Sequence, residues 1–304
     1  MKSTSFKIFF AYILLCLLWG STWLAIRASL ESLTPFVSAG SRFLIASLFI
    51  LTLMKIRGVS LQTDKESIRL YLLMGFLSFV IPFGLVYWAE QFVPSGLASV
   101  LFGVYPFFVA IFSFYRLPDE PIGKIKIIGM SLGFFGIVVI FSDSFTTDLS
   151  NLFIGMVAVA LSGIIQAWIA VTIKKSGRHL NPLSMNLVPM FIAGISGLLI
   201  GFALEDTSNI KIDDTAIISV LYLALFGSVI TFTSFYWLMK RINVVLLSLI
   251  AFITPIVALL LGWIFYNESL TTQHIIGSAF VLAGLLMANL EAVFSQKNVV
   301  PKSV

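Results

Sequence analysis

The sequence predicts an all-α integral membrane protein with ten transmembrane helices, built from two inverted five-helix repeats with both termini cytoplasmic. Three observations support this fold class: the composition, ten long uncharged runs and an internal repeat. Of the 304 residues, 59% are hydrophobic and 11% are charged, whereas about 25% of an ordinary soluble domain is charged. Ten spans of about 20 residues fill most of this length, which leaves no room for a soluble catalytic domain.

Each of the ten runs is long enough to cross a bilayer and is bounded by charged residues. Lipid offers the backbone no hydrogen-bond partners, so runs of this length must be helical, and a β-barrel would instead show short alternating segments. The first run is predicted to span the membrane and not to be a cleaved signal, because it continues uncharged to Ile26 and no Ala-x-Ala site follows. The predicted spans are 8–26, 34–54, 70–90, 95–115, 125–142, 151–173, 182–203, 216–239, 244–265 and 273–292.

The basic residues are distributed very unequally between the two sides of these spans. With the N-terminus inside, sixteen lysines and arginines fall on the inner side, only Arg27 and Lys211 fall outside, and Arg42 lies within a span. This positive-inside bias predicts cytoplasmic termini. It also accounts for the net charge of +5 without a nucleic-acid partner.

The second half of the sequence repeats the first. Tyr87-Trp88 aligns with Tyr236-Trp237, and Pro106 with Pro255, at an offset of 149 residues. An odd number of spans in each copy forces the copies into opposite orientations, an arrangement found in many secondary transporters. Duplication in a membrane protein of another kind is the alternative. The predicted units are 8–143 and 149–292, followed by a cytoplasmic tail, 293–304.

Several short motifs are spread over essentially the whole chain. They are Trp19-Gly20-Ser21-Thr22-Trp23, Arg42-Phe43-Leu44, Ala89-Glu90, Val93-Pro94-Ser95-Gly96-Leu97-Ala98-Ser99, Pro106, Thr254-Pro255-Ile256-Val257-Ala258 and Asn267-Glu268-Ser269-Leu270. In their order and duplication they resemble the motifs of the EamA-type, ten-helix branch of the drug/metabolite transporter superfamily. The resemblance implies an inner-membrane exporter of amino acids, other small metabolites or toxic compounds, and no particular ligand. It also implies a central cavity lined chiefly by the first, third and fourth helices of each copy and by elements next to the fifth.

Charged side chains inside a bilayer are costly and therefore informative. Arg42 lies about 12 Å below the predicted outer start of the second span, at 1.5 Å per residue. Its predicted counter-ion is Glu90, near the outer end of the third span. The two residues form either a structural ion pair or a gate, in which Arg42 could also bind a substrate carboxylate.

Aromatic and small polar side chains are the other candidates for a binding site. Trp19 and Trp23 share one helix face at i, i+4 spacing. In the second copy, Gln166 corresponds to Trp19 and Trp168 to Ser21, so the equivalent helix offers an amide and an indole. Ordinary packing is the alternative for each of them. The substrate-binding candidates are Trp19, Ser21, Thr22, Trp23, Tyr87, Tyr105, Gln166, Trp168 and Tyr236.

Two prolines related by the repeat are hinge candidates. Pro106 and Pro255 each remove a backbone hydrogen bond from a span and bend its helix. The repeat predicts matched bends beside a central cavity. A static shape without hinge motion is the alternative.

The sequence as a whole favours a transporter that exports small organic metabolites, such as amino acids, by alternating access. A drug exporter and a metabolite importer are the alternatives. An enzyme is disfavoured, because two histidines, one cysteine and no mid-span carboxylate cannot form clustered catalytic groups. No metal, cofactor or nucleic acid is expected, and the expected partners are a small-molecule substrate and the lipid bilayer. Substrate identity, direction, energy coupling and oligomeric state, including whether the protein is a monomer, stay open.

Overall fold

The computed structural model describes residues 2–93, 95–119, 123–140, 149–266 and 272–295, and over these ranges the chain is helical with no strand. This confirms the predicted all-α fold. Pro94, residues 141–143 and 267–270, and residues 296–304 of the predicted tail lie outside the described ranges. Ten helical segments follow one another: α1 (Lys2–Leu30), α2 (Pro35–Ile56), α3 (Lys65–Ala89), α4 (Ser95–Arg116), α5 (Lys124–Ile140), α6 (Leu149–Ser176), α7 (Ser184–Leu204), α8 (Asp214–Met239), α9 (Val244–Ser248, continuing as Ile250–Tyr266) and α10 (Thr272–Ser295).

Most of these helices are long and apolar enough to cross a membrane. Eight of the described helices, α1–α4 and α6–α9, satisfy both conditions. Helix α5 has 17 residues, and α10 contains a shorter apolar segment, Ile275–Gly284. Many apolar side chains on the outer faces are exposed, among them Leu199 at 66%. An exterior of this kind suits lipid and not water, so the chain is a multi-pass membrane protein.

The two halves pack in an equivalent way. Helix α2 packs on α7 and α5 on α10, while α1 packs on α9 and, correspondingly, α4 on α6. Each pairing joins one half to the other. Small residues allow the closest contacts: a Cβ added at Gly40 would lie 2.6 Å from the Leu198 nitrogen, and one added at Gly136 would lie 2.5 Å from the Gly277 oxygen. Backbone contact of this kind drives helix association in membranes, where apolar burial cannot.

The third helix of each half contains a π-helical segment. These segments are Gly75–Val80 in α3 and Leu225–Ile230 in α8. Each carries a serine at its fourth position, Ser78 in the first half and Ser228 in the second. A π turn leaves backbone groups out of the regular ladder and often marks a functional site.

Helix α8 begins at a cap that ties the two halves together. Asp213 accepts hydrogen bonds from the Ala216 nitrogen at 2.8 Å and from the Ser32 hydroxyl at 2.9 and 2.8 Å. Ser32 lies in the α1–α2 connection, and its carbonyl accepts from the Lys211 nitrogen at 2.9 Å. The Ala216 amide, followed by the Ser32 hydroxyl, lowers the pKa of the Asp213 carboxyl below its usual value. The cap therefore works with an ionised carboxylate.

Candidate functional site

A cavity lies between the two halves of the chain. Its volume is about 100 Å³, several times the roughly 10–15 Å³ that one water molecule needs. It is therefore large enough for a small organic molecule. The lining comes from α1, α3 and α4 of the first half and from α6, α8 and α9 of the second, with Arg42 added from α2: Trp19, Thr22, Trp23, Ile26, Arg42, Ser78, Phe83, Val86, Phe102, Tyr105, Gln166, Ile169, Ala170, Ile173, Phe232, Phe235, Tyr236, Leu247, Ser248, Ile250, Ala251 and Thr254.

Aromatic rings form much of the wall. The Trp19 ring lies 5.3 Å from that of Phe232 and 5.2 Å from that of Phe235, measured between centroids. On the other side, the Trp23 ring packs edge-on at 6.0 Å against Phe102. Edge-to-face pairs of this kind fix the ring orientations. The cavity therefore has stiff, flat walls suited to an apolar or aromatic body.

Two hydroxyl groups of the lining, those of Thr22 and Ser248, present acceptor lone pairs to the cavity. The Thr22 hydroxyl donates to the Trp19 carbonyl at 2.8 Å, and the Ser248 hydroxyl donates to the Val245 carbonyl at 2.7 Å. Each proton is thus used within its own helix, while the oxygen can still accept from a ligand.

Gln166 is poorly satisfied by the protein. Its one hydrogen bond within the described ranges is a long contact of 3.5 Å from its amide nitrogen to the Ser162 hydroxyl. A half-buried amide with such weak pairing is available to a bound molecule.

The Arg42 guanidinium is buried, with 1% of its surface exposed. Its Nε donates to the Ser228 hydroxyl at 2.9 Å, Nη1 to the Tyr87 hydroxyl at 3.2 Å and Nη2 to the Gly227 carbonyl at 2.8 Å. Two of these partners belong to the π segment of α8, in the opposite half of the chain. The guanidinium carbon also lies 5.1 Å from the centroid of the Phe83 ring.

Glu90 is not the direct partner of Arg42 that the sequence predicts. Both of its carboxylate oxygens are buried and have no hydrogen-bond partner among the described residues. The positive charges of Arg27 and Arg42 act electrostatically on this carboxylate. The prediction of an Arg42–Glu90 ion pair is corrected because the α8 π segment, which a linear sequence does not reveal, supplies the contacts of the guanidinium.

Six of the nine predicted binding residues line the cavity: Trp19, Thr22, Trp23, Tyr105, Gln166 and Tyr236. Tyr87 does not, but its hydroxyl supports Arg42. The placements of Ser21 and Trp168 are corrected. Ser21 pairs with the Tyr222 hydroxyl at 2.5 Å, and the Trp168 ring lies under the Arg116 guanidinium, 5.3 Å from ring centroid to carbon.

Both hinge candidates lie next to interruptions of their helices. Before Pro106, α4 contains a 3₁₀ turn, Phe102–Val104. The α9 helix is interrupted at Leu249, ahead of Pro255. The Ala251 carbonyl, which Pro255 deprives of its amide partner, accepts from the Thr254 hydroxyl at 3.3 Å. Both prolines thus follow an irregular turn of their helices, and the matched bends and the hinge motion stay predictions.

A second cavity of about 470 Å³ lies at the ends of α6 and α8. It shares Ile173 and Tyr236 with the central cavity, so the two are contiguous. On the predicted topology it lies at the cytoplasmic side. Its lining is Ile173, Lys174, Gly177, Arg178, Met185, Tyr236, Met239 and Lys240.

Comparison with known families identifies the architecture. The model of the EamA-like transporter family matches twice, over residues 6–142 and 153–290. The chain belongs to this family. The resemblance seen in the sequence motifs is thereby confirmed, and the chain is a membrane transporter of the drug/metabolite kind. The two matches also agree with the internal repeat.

Relatives of this EamA-like chain align along nearly its whole length. The uncharacterized transporter YoaV of Bacillus subtilis is 27% identical over 92% of this chain and 96% of its own length. The uncharacterized inner membrane transporter YedA of Escherichia coli is 29% identical over 93% and 90%, respectively. Protein PagO of Salmonella typhimurium is 26% identical over 91% and 90%. A solved crystal structure shares the fold, with a TM-score of 0.81 at 18% identity over 95% of this chain and 99% of the other.

Sequence reasoning missed several cavity residues of the EamA-like fold. Phe232 and Phe235 stand among many apolar residues of α8, with nothing in the sequence to distinguish them from lipid-facing rings. Ser78, Ser248 and Thr254 carried a usable signal, because a hydroxyl residue within an apolar span needs a partner. No group of three or more metal-ligating side chains occurs among the residues described.

Proposed function

We propose that this EamA-like transporter resides in the inner membrane and exports small organic metabolites, such as amino acids, by alternating access. The observation that carries the proposal is the central cavity, which both halves of the chain line with aromatic rings and small polar groups. A site shared by two inverted repeats can face either side of the membrane when the halves rock against each other.

The form of the cavity supports a compact substrate that carries polar groups on an apolar or aromatic body. Its volume of about 100 Å³ suits a small metabolite. Acceptor oxygens of Thr22 and Ser248 suit the ammonium of an amino acid, and the faces of Trp19 and Trp23 attract a cation. The Gln166 amide offers both a donor and an acceptor.

One side of the cavity is more closed than the other, as alternating access requires. A compact apolar cluster of Ile26, Ala39, Tyr87 and Leu223 lies toward the predicted outer end. The second cavity continues the central one in the predicted cytoplasmic direction. These features support an inward-facing state, from which a cytoplasmic metabolite could bind.

Untargeted metabolite profiling of spent medium tests this proposal. Cells that overproduce the native protein are compared with cells that carry Trp19→Ala together with Gln166→Ala at equal membrane abundance. A matched control carries Trp263→Ala with Gln91→Ala, which changes the same residue types at exposed positions. We expect a compound that is enriched by the native and control proteins and is at least several-fold lower with the cavity variant.

Other outcomes would redirect the proposal. Equal enrichment by the cavity variant would preserve export and remove the assignment of the site. Depletion of a medium component would indicate import. Enrichment only of an added toxic compound would indicate a drug exporter.

A further inference from the structure

The Arg42 side chain has hydrogen-bonding capacity that the protein does not use. A guanidinium carries five N–H donors, and three of them reach Ser228, Tyr87 and Gly227. Among the described residues, one N–H on Nη1 and one on Nη2 thus have no acceptor. Arg42 also lines the central cavity. Its remaining donors form part of a fork of the kind that binds a planar carboxylate.

Among the residues that the structure describes, no acid contacts the Arg42 guanidinium directly. Glu90 acts on it through space, but the Glu90 oxygens have no hydrogen-bond partner and the residue does not line the cavity. A buried charge without a paired, hydrogen-bonded counter-ion is unfavourable. A bound anion in the cavity would supply the missing partner.

The second cavity has the same sign of charge. Its charged lining residues are Lys174, Arg178 and Lys240, and no acid lines either cavity in the described ranges. The Lys174 ammonium donates to the carbonyls of Met239 and Ile242 at 2.6 and 2.7 Å, which holds it in place. All four charged groups along the two contiguous cavities are therefore cationic. Walls of one sign concentrate ions of the opposite sign.

We infer that Arg42 is the binding subsite for the carboxylate of a small organic acid, which reaches it through the cationic cavity at the ends of α6 and α8. The apolar and aromatic remainder of the central lining favours an acid with an apolar or aromatic body. This inference rests on the proposed transport function and specifies the class of substrate. Amino acids and acids without an ammonium share the recognised group.

Efflux from proteoliposomes tests the inference. Vesicles are loaded with an equimolar mixture of phenylalanine, leucine, phenylacetate and 4-methylpentanoate together with the corresponding primary amides, and efflux is followed by mass spectrometry. We expect the native protein to release at least one acid 10-fold or more faster than its amide. Arg42→Gln should abolish that preference. Arg57→Gln, at an exposed position after α2, should retain it.

Each outcome is decisive. Equal release of acids and amides by the native protein, or an acid preference that survives in Arg42→Gln, overturns the subsite while transport stands. No release of any compound overturns the proposed function as well. If Arg42→Gln fails to fold, Lys174→Gln with Lys240→Gln provides the second test, with an expected several-fold rise in the KM of the acid alone. Release of phenylalanine or leucine without phenylacetate and 4-methylpentanoate shows that the ammonium is also recognised. Release of phenylacetate or 4-methylpentanoate without the two amino acids shows that it is not.

Discussion

One substitution at Gln166 distinguishes a role of its amide in substrate binding from a role in stabilising the fold. Within the described part of the chain its amide makes one hydrogen bond, the 3.5 Å contact to Ser162, so Gln166→Leu removes no good hydrogen bond there. The stability of the protein should stay the same or rise slightly, because the substitution removes a poorly hydrogen-bonded amide from a mainly apolar cavity wall. Transport should weaken, because a neutral hydrogen bond to the substrate is worth about 0.5–1.5 kcal/mol, or roughly 2- to 12-fold in KM.

Two assays on the same purified protein check this prediction. Thermal unfolding in detergent gives the stability, and proteoliposome flux of the compound found in spent medium gives the KM. Gln91→Leu, which changes an exposed amide beyond α3, serves as the control and should alter neither quantity. A structural role for Gln166 would instead lower the stability by about 1–3 kcal/mol, a drop of several degrees. That result, with an unchanged KM, would refute the reasoning.

Two further predictions concern the scaffold. Gly40→Ala places a Cβ 2.6 Å from the Leu198 nitrogen, so α2 and α7 must separate by several tenths of an ångström, which costs about 1–3 kcal/mol of stability. Thermal unfolding should show a lower Tm for this variant than for Leu48→Ala, a lipid-exposed change on the same helix. Equal Tm values for the two variants would contradict the close-packing argument. The α8 cap should be sensitive to acid, because the pKa of Asp213 is lowered in the folded state. The stability that the ionised cap contributes is complete above the usual carboxyl pKa of about 3.9 and is lost as the pH falls through the lower folded pKa. Hydrogen exchange should show protection of the Ala216 amide decreasing below pH 4 in the native protein and staying flat in Asp213→Asn, and equal pH dependence in both would contradict the cap.

Helix positions and the repeat were within reach of the sequence because they depend on long stretches of residues. An apolar run of about 20 residues has one stable form in lipid, and the predicted spans match the observed helices closely. The family resemblance implied the cavity-lining helices, and the repeat related those of one half to those of the other. These predictions use averaged properties, which a single unusual contact does not change.

Side-chain direction was harder to predict, although part of the error was avoidable. Residues two apart on a helix point about 200° away from each other. Gln166 and Trp168 therefore cannot line the same cavity, and the same reasoning separates Trp19 from Ser21. The spacing that placed Trp19 and Trp23 on one helix face thus also indicated that Ser21, between them, points away from that face.

The environment of Arg42 could not be predicted from sequence. Its contacts with Gly227 and Ser228 come from a helix nearly 190 residues later in the chain and depend on a local π turn. No composition rule identifies such a turn, since it reflects packing between helices and not the propensity of six residues. A nearby acid was the reasonable expectation, but in the structure the guanidinium donates to two hydroxyls and a carbonyl.

The central claim is that the substrate passes through the contiguous cavities, and access to Ile173, which lines both of them, tests it most directly. The one native cysteine, Cys16, is replaced by alanine, and Ile173→Cys is added in inside-out vesicles. We predict that a membrane-impermeant thiol reagent applied to the cytoplasmic face labels this cysteine and stops transport, and that the exported compound slows the labelling. Transport that continues at its full rate after complete labelling would contradict the account.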